Sequence, residues 1–439
     1  MKRIFSDYAY SPGPRAGCWW DKTCDIPEFP KLRNEIRSDV VIVGAGFTGL
    51  NAALTLAQGG ADVVVLDGSQ PGWGASGRNG GFCCLGGGMA SDKWLDDRYG
   101  RDERLLWRRT EMNAIAHVDT LIGRMDIDVD RHSEGETMLA HRARNFRDFE
   151  DVSQVFEENY GVAARITPAH ALRQESMQGG FHGALTIPLG FALNPRKYLG
   201  GLVRACVDCG VRIFGNTNAL SVGRNAELTL SSGRVSTDRV IIATNGYSSE
   251  DVPEALRGRY LPFQSSVMVT RPFTEYELQQ QGWTSTQMAY DTRNLLHYFR
   301  LMPDNRFLFG MRGGVLSSAG SDANIYKTMR RHFGRMFPAW RNVEVEGYWS
   351  GMISVARNKM PFLGELPGQP GILSALCFHG NGVAMGSYAG HMLGQLALGQ
   401  TADIPAAMCD PLARFPLGRL RRALVPPLYA ALHVADLSP

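Results

Sequence analysis

The sequence lacks long apolar runs and concentrated charge, and each absence excludes a class of protein. No stretch reaches the roughly 18 apolar residues of a membrane span, so no transmembrane span is predicted. No apolar core follows Lys2 and Arg3, so no signal peptide is predicted. The net charge is only +3 and no run of five basic residues occurs, so no nucleic-acid partner is expected.

Cysteine is scarce and scattered. The eight cysteines show no repeated zinc-type spacing, and the one CxxC, Cys206 and Cys209, has neither a second pair nor clustered histidines, so no metal is predicted. Scattered cysteines without a secretory signal suit a reducing compartment, so we expect a cytoplasmic protein.

Glycine, by contrast, is abundant, at 50 of 439 residues. The densest stretch is GWGASGRNGG at residues 72–81, followed directly by FCCLGGG. Glycine loses more backbone freedom on folding than any other residue, so such a stretch needs a reason. It is either a mobile surface loop or a place where a ligand lies against bare backbone, and the flanking sequence decides between the two.

A dinucleotide fingerprint precedes this stretch. The apolar strand DVVIV (39–43) runs into a GxGxxG formed by Gly44, Gly46 and Gly49, and a helical pattern follows to about Gln58. A second apolar strand, ADVVVLD, ends in Asp67. In such a motif the glycines allow a sharp turn, close approach of a pyrophosphate and helix–strand packing, while the acidic residue bonds the ribose. The helix start offers free N–H groups to the phosphates.

The second glycine cluster indicates which dinucleotide is bound. Asp67 argues against the 2′-phosphate of NADP. A glycine-rich stretch so soon after Asp67 favours FAD, because its isoalloxazine needs a further length of close backbone to reach a domain boundary. Ser76, Arg78 and Asn79 are predicted to bond the pyrophosphate or the flavin edge.

Six segments together resemble a known family: VIVGAGFTGL, GWGASGRNGG, NPRKYLGGL, VIIATNGYS, YFRLMPDNRFLFG and FHGNGV. They are similar to the FAD-dependent amine and amino-acid oxidases of the D-amino-acid oxidase superfamily, in particular its gamma-glutamylputrescine oxidase branch. The resemblance implies an α/β fold, with a Rossmann-like FAD domain of the glutathione-reductase type and a second domain of antiparallel sheet plus helices.

The resemblance also implies further cofactor contacts, at a third strand end (ATNGY), at Ala219 beside the adenine, and at the turn HGNGVA near the flavin. A plain helix cap is the alternative for that last turn. The full predicted cofactor set is Gly44, Gly46, Phe47, Thr48, Gly49, Asp67, Gly68, Gly74, Ala75, Ser76, Gly77, Arg78, Asn79, Gly80, Gly81, Ala219, Ala243, Thr244, Asn245, Tyr247, Gly351, Met352, Gly380, Asn381, Gly382 and Val383.

Three departures from the family pattern bear on the substrate. Ala384 and Ile353 stand where relatives carry a Lys or an Arg for a substrate carboxylate, and Met352 stands where some carry a flavin-linked Cys. FAD is therefore expected to be noncovalent. A carboxylate buried without a cation costs several kcal/mol, so an amine is favoured over a simple amino acid. Arg300 and Arg312 are possible replacement cations, which keeps the amino-acid alternative open.

The expected reaction is oxidation of a C–N bond of a small primary or secondary amine. The α-carbon delivers a hydride to flavin N5, the imine hydrolyses, and O2 reoxidises the flavin to give hydrogen peroxide. A quinone or a carrier protein is the alternative acceptor, and a flavin-binding protein without activity is a further alternative. His379 is a candidate for assisting amine deprotonation, and Tyr298 or Phe299, but not both, can face the pocket; turn and core roles are equally open.

The predicted domains are discontinuous. Residues 1–37 form an irregular arm anchored by Trp19 and Trp20. Residues 38–91, 189–262 and 343–400 form the FAD-binding domain. Residues 92–188 and 263–342 form the substrate domain, and residues 401–439 form a peripheral tail.

Overall fold

The computed structural model describes residues 1–223 and 226–437. Its strands are β1 Ile36–Val43, β2 Val63–Leu66, β3 Phe82–Cys83, β4 Glu136–Leu139, β5 Arg165–Pro168, β6 Gly183–Ile187, β7 Phe191–Ala192, β8 Arg212–Phe214, β9 Ala219–Val222, β10 Leu228–Leu230, β11 Gly233–Ile242, β12 Leu261–Thr270, β13 Met288–Asp291, β14 His297–Leu301, β15 Phe307–Arg312, β16 Val345–Val355, β17 Phe362–Glu365 and β18 Ile372–Leu376.

The helices are α1 Phe47–Gln58, α2 Asp92–Tyr99, α3 Arg101–Arg124, α4 Ala143–Arg147, α5 Phe149–Tyr160, α6 Pro195–Asp208, α7 Glu275–Gln281, α8 Ala319–Met336, α9 Ala384–Ala397, α10 Ala406–Cys409 and α11 Val425–Leu437. None of these helices, in the part of the chain described, is both long and apolar enough to cross a membrane.

The first sheet carries the dinucleotide motif. Its main order is β17-β18-β11-β1-β2-β8, and β1 pairs in parallel with both β11 and β2. All four residues of β2 are buried, as is typical of a parallel strand covered on both faces. Helices α1 and α9 lie side by side, and Gly390 permits this because a Cβ there would sit 2.2 Å from the Thr48 carbonyl oxygen.

The second sheet has the order β16-β12-β15-β14-β13-β4-β6-β5 and is antiparallel apart from the β13–β4 pair. Its outer face packs on α8 through a cluster rich in aromatic side chains, including Phe299, Phe309 and Phe333. The mixed α/β class, with a Rossmann-like sheet and a mainly antiparallel second sheet, is the class that the sequence predicts.

The domain boundaries differ from the predicted ones in two places. Strand β16 lies in the predicted FAD segment 343–400, yet it pairs with β12 along the edge of the second sheet. Helix α3 lies in the predicted substrate segment, yet Ala114 and Val118 pack in the same apolar cluster as α1 and α9. Both segments therefore contribute to both halves of the molecule, because pairing and packing partners come from distant parts of the chain.

The two termini are both anchored. Trp20 of the arm is almost fully buried, and its indole N–H donates to the Asn79 carbonyl (2.8 Å). In the tail, Arg421 is buried and pairs with Glu250 (2.6 Å). The tail is thus less peripheral than the sequence predicts, since it supplies the cation for a buried carboxylate.

Candidate active site

The turn between β1 and α1 is built for close backbone approach. Gly44 has φ +113°, and a Cβ there would lie 2.7 Å from the Ala243 carbonyl oxygen. Gly46 precedes α1 and offers no side chain as a cap, so the N-cap residue leaves the first N–H groups of this 12-residue helix free for other acceptors. Ser76 Oγ accepts from the Phe47 amide (2.9 Å), which ties the second glycine stretch to the helix start.

Asp67 lies at the end of β2, beside this turn. Its two carboxylate oxygens accept backbone N–H groups from Ala45 and Ser69, each at 2.8 Å. Burial raises the pKa of Asp67, and these two hydrogen bonds oppose the rise. Each oxygen has a second lone pair, so the carboxylate keeps acceptor capacity for ribose hydroxyls.

A cavity of about 460 Å³ opens in front of this turn. It brings together most of the predicted cofactor set: Gly44, Gly46, Phe47, Thr48, Asp67, Gly68, Gly74, Ala75, Ser76, Asn79, Ala219, Ala243, Thr244, Asn245, Tyr247, Met352, Gly380, Gly382 and Val383. A side chain at Gly46 would intrude on Ser76 Oγ at 2.8 Å, so the cradle depends on bare backbone. An uncapped helix start, bare main chain and an acidic ribose partner fit FAD.

Three glycines of the predicted cofactor set have a packing role, which is the role predicted for Gly49 and not for the other two. Gly49, Gly77 and Gly81 do not line the cavity, and a Cβ at any of them would come within about 2 Å of a backbone carbonyl oxygen, those of Gly44, Gly72 and Leu193 respectively. Their contribution is to let neighbouring backbone pack closely behind the cavity wall.

Arg78 does not occupy the predicted position at the pyrophosphate. It is buried and does not line the 460 Å³ cavity. Its guanidinium donates to the carbonyls of Trp73 (2.8 Å) and Ser350 (3.1 Å) and stacks on the Trp73 ring. Burial lowers its pKa. Nε and Nη1 of Arg78 therefore brace the glycine stretch against β16, whereas Nη2 is buried without a partner and the side chain lines the second cavity described below.

Asn79 has a similar bracing role while still lining the cavity. Its side-chain amide donates to the carbonyls of Ala75 and Ser76, and its oxygen accepts from the Gly81 amide (2.8 Å). The side chain thus bonds backbone groups on both sides of it in the same loop. An asparagine can do this because its amide both donates and accepts hydrogen bonds.

A second cavity of about 370 Å³ adjoins the first and shares Met352, Ile353 and Gly380 with it. The predicted residues Arg78, Gly80, Gly351 and Asn381 line it. Tyr298 faces this cavity, with its hydroxyl 3.2 Å from Ser265 Oγ, whereas Phe299 points into the aromatic core. The alternation expected for this strand is thus confirmed, with Tyr298 as the pocket residue.

Two of the predicted catalytic residues, His379 and Arg300, do not line the second cavity. His379 is buried, with Nδ1 bonded to the Gly87 carbonyl (2.9 Å) and Nε2 accepting from the Ala356 amide (3.2 Å). Burial lowers its pKa to about 4, so it is a neutral turn residue and not a base for the substrate.

Arg300 is buried behind the glycine stretch, donates to the Leu193 carbonyl (2.8 Å) and lies 2.8 Å from His132 Nε2. It lines neither of the two cavities, whereas Arg312 lines the second. Of the two candidate cations, only Arg312 lines one of these two cavities.

Several residues of the two cavities have no signal in the sequence. Met1, Arg3, Tyr10 and Pro12 of the arm line the first cavity, although the arm carries no motif. Another group, described below, lines the second cavity from α3, α5 and β4. These residues lie far apart in the chain, so only the tertiary fold brings them together.

Comparison with known proteins identifies this architecture. The sequence matches the family of FAD dependent oxidoreductases named DAO over residues 39–396, most of the chain. The chain belongs to this family. It is a DAO-family flavoenzyme, an FAD-dependent oxidoreductase acting on C–N bonds of amines or amino acids.

Relatives of this DAO-family enzyme cover nearly its whole length. It is 30% identical over 401 residues to the probable oxidoreductase OrdL of Haemophilus influenzae, covering 90% of each chain. It is 28% identical to the gamma-glutamylputrescine oxidoreductase of Escherichia coli, covering 90% of this chain and 91% of the relative. Among solved structures, glycine oxidase from Geobacillus kaustophilus matches with a TM-score of 0.70 and 20% identity, covering 86% of this chain and 99% of the other. That likeness establishes the fold.

Proposed function

We propose that this enzyme is an amine oxidase that binds FAD noncovalently and oxidises a primary or secondary amine, with O2 as the acceptor. The observation that carries the proposal is the lining of the second cavity where it meets the first. Met352 and Ile353 form an apolar wall there, at the positions where relatives place a flavin-linked thiol or a carboxylate-binding cation. Ala384 is buried at the start of α9 and brings no charge.

The cavity's basic side chains, within the described part of the chain, are Arg78, Arg108 and Arg312. Arg78 donates Nε and Nη1 to carbonyls and leaves Nη2 without a partner, whereas Arg108 is held by Asp92 and Glu111. Arg312 is less buried than Arg78 and makes a long contact, 3.4 Å to the His379 carbonyl, so of these two cations it is our first choice to pair with an amino-acid substrate. Oxidation of an amino acid is therefore the second candidate function.

The protein's part in the reaction is binding and orientation. Bound FAD would supply the redox chemistry, taking up a hydride from the substrate α-carbon and passing the electrons to O2 to give hydrogen peroxide, while water would hydrolyse the imine product. The start of α9, where Gly380, Gly382 and Val383 line the first cavity, places a positive helix end where negative charge can be stabilised. Tyr298 and the wall of Met352 and Ile353 orient an apolar amine.

His379 is unavailable as a base, so the amine must bind in its neutral form. We expect kcat/KM to rise with pH until the substrate amine is deprotonated, and to follow the pKa of each amine in a series. A profile with a fixed pKa in every substrate would contradict this expectation.

The test is a panel of amines, amino acids and N-methyl amino acids mixed anaerobically with the holoenzyme, with bleaching of the flavin band as the readout. Reduction by amines and not by amino acids supports the proposal, and a flavin that stays oxidised with all of them refutes enzymatic activity on this class. Admission of air with peroxide detection, against a parallel assay with a quinone, decides the acceptor.

Arg312→Ala separates the two candidate functions. With an amine substrate we expect KM to change less than threefold or so, because no ion pair is lost. With an amino acid, loss of the carboxylate partner would raise KM about 100-fold, worth about 2.7 kcal/mol. Arg331→Ala removes a charge from an exposed position and is the matched control. A 100-fold rise confined to Arg312→Ala with the best substrate would establish the amino-acid function instead.

A further inference from the structure

The part of the second cavity lined by α3, α5 and β4 is strongly polar. Arg108, Glu111 and Tyr160 form a closed set there. Arg108 donates to Glu111 (2.8 Å) and reaches Asp92 on its other side (2.5 Å), and the Tyr160 hydroxyl donates to Glu111 (2.8 Å). The positive charge of Arg108 is thus neutralised by Asp92 and Glu111, so these three side chains offer no free cation to the cavity.

Glu136 lies near Glu111 of this set, but no cationic side chain among the described residues pairs with it. Its side chain lines the cavity and is 5% exposed. Its titratable neighbours are the Cys84 thiol, Glu111 and Tyr290, and no Lys, Arg or His within the described residues forms an ion pair with it. Burial raises the pKa of Glu136 to about 8, a hydrogen bond with the Cys84 thiol opposes the rise, and the charge of Glu111 adds to it. Near pH 7 the carboxyl group is therefore mostly protonated, and a cation bound beside it would favour its ionised form.

The strand register relates Glu136 to the pocket tyrosine. Tyr298 pairs with Tyr290, and Tyr290 pairs with Met138, which is two residues from Glu136 on the same strand. Residues two apart share a sheet face, so Glu136 and Tyr298 face the same space. With strands ~4.8 Å apart and ~3.3 Å per residue, their Cα atoms are roughly 12 Å apart.

We propose that Glu136 binds a second positively charged group of the substrate, remote from the C–N bond that is oxidised. The substrate class is then a diamine, or a longer amine with a distal ammonium group. An ammonium donates three hydrogen bonds and supplies the positive charge that favours the ionised carboxylate. Phe82, Leu85 and Leu296, which also line the cavity, supply apolar surface for the hydrocarbon chain that joins the two ends. This inference rests on the proposed function, because it places the reacting amine beside the flavin.

The experiment compares α,ω-diamines of increasing length, each with the monoamine of equal carbon number, in anaerobic flavin reduction by the holoenzyme. We expect kcat/KM to favour the diamine by about 10- to 100-fold at the best length, the range for a hydrogen bond to a charged group. Glu136→Gln should bring the ratio close to one. Glu134→Gln, a neighbouring exposed carboxylate, should leave the ratio unchanged. Glu136→Asp should keep a preference and shift it to a longer diamine.

A binding measurement keeps this inference separate from the proposed function. Holoenzyme reduced with dithionite cannot oxidise an amine, so calorimetry then reports binding alone. We expect diamines to bind tighter than monoamines in the wild type and in Glu134→Gln, and not in Glu136→Gln, with extra proton release that Glu136→Gln abolishes. If no amine reduces the flavin, the proposed function fails, and this measurement still decides the role of Glu136. Equal binding of diamine and monoamine by the wild type, or a preference that survives Glu136→Gln, would overturn the inference.

Discussion

Replacement of Asp67 by Asn tests the cofactor site at its most constrained side chain. Asn has nearly the same shape, so packing is kept. Both Asp67 oxygens accept backbone amides at 2.8 Å, whereas Asn has one oxygen and one NH2 group. Either the Ala45 or the Ser69 N–H must then face another donor.

The expected loss of stability follows from the number of backbone N–H groups that lose an acceptor, which is one. Leaving one buried N–H without an acceptor costs about 1–3 kcal/mol, and the surviving bond loses its charge assistance. Removal of a buried charge opposes this, since burial raises the pKa of Asp67. We expect the flavin-free protein to lose about 1–3 kcal/mol of unfolding free energy. Loss of the charged ribose acceptor should weaken FAD binding a further 10- to 100-fold.

The assays are urea unfolding of the flavin-free protein and titration of FAD by quenching of its fluorescence. Asp208→Asn, an exposed carboxylate on α6, is the control and should change neither quantity. Undiminished FAD affinity in Asp67→Asn, within about twofold of the wild type, would refute the assignment of this carboxylate to the ribose. Undiminished stability would refute the hydrogen-bond argument.

Three further predictions concern other parts of the molecule. The pKa of His379 is lowered to about 4 from an ordinary value near 6.5, so between these pH values the unfolded chain binds one more proton than the folded chain, and stability falls as the pH drops from about 6.5 toward 4. His379→Gln should reduce the pH dependence of the unfolding free energy, measured with urea, by about one proton. An unchanged pH dependence would contradict a buried neutral ring. Because Met352 stands in place of a thiol, acid precipitation should release all flavin to the supernatant and leave the mass of the protein chain unchanged. Flavin that stays attached to the precipitated protein would disprove noncovalent binding. Trp20→Ala should cost about 3–5 kcal/mol and weaken FAD retention, because a buried ring and its bond to the glycine stretch are lost; Trp19→Ala, at a less buried position, serves as the comparison, and equal effects would argue against the arm as a brace.

The sequence predicts the first sheet well because its signals are local. The strand at 39–43, the glycine turn and the helix to about Gln58 follow from short-range rules of apolar spacing and glycine placement, and the structure confirms them, with the strand beginning three residues earlier at Ile36. The alternation on β14 likewise puts Tyr298 and Phe299 on opposite faces. Predictions that depend on the tertiary contacts of a side chain are less accurate. Arg78 and Arg300 are cations near the predicted phosphate-binding loop, yet both lie outside the first cavity and donate to backbone carbonyls within the protein.

The sequence alone therefore determined the family, the cofactor class and the strand–turn–helix that receives the dinucleotide, since residues adjacent in the chain set that geometry. Only the tertiary structure decided that Arg312 and not Arg300 lines the second cavity, that β16 joins the second sheet, and that His379 is bonded on both nitrogens. It also placed Glu136 of β4 near Glu111 of α3. Burial and electrostatic environment are properties of contacts between distant segments, so no local pattern encodes them.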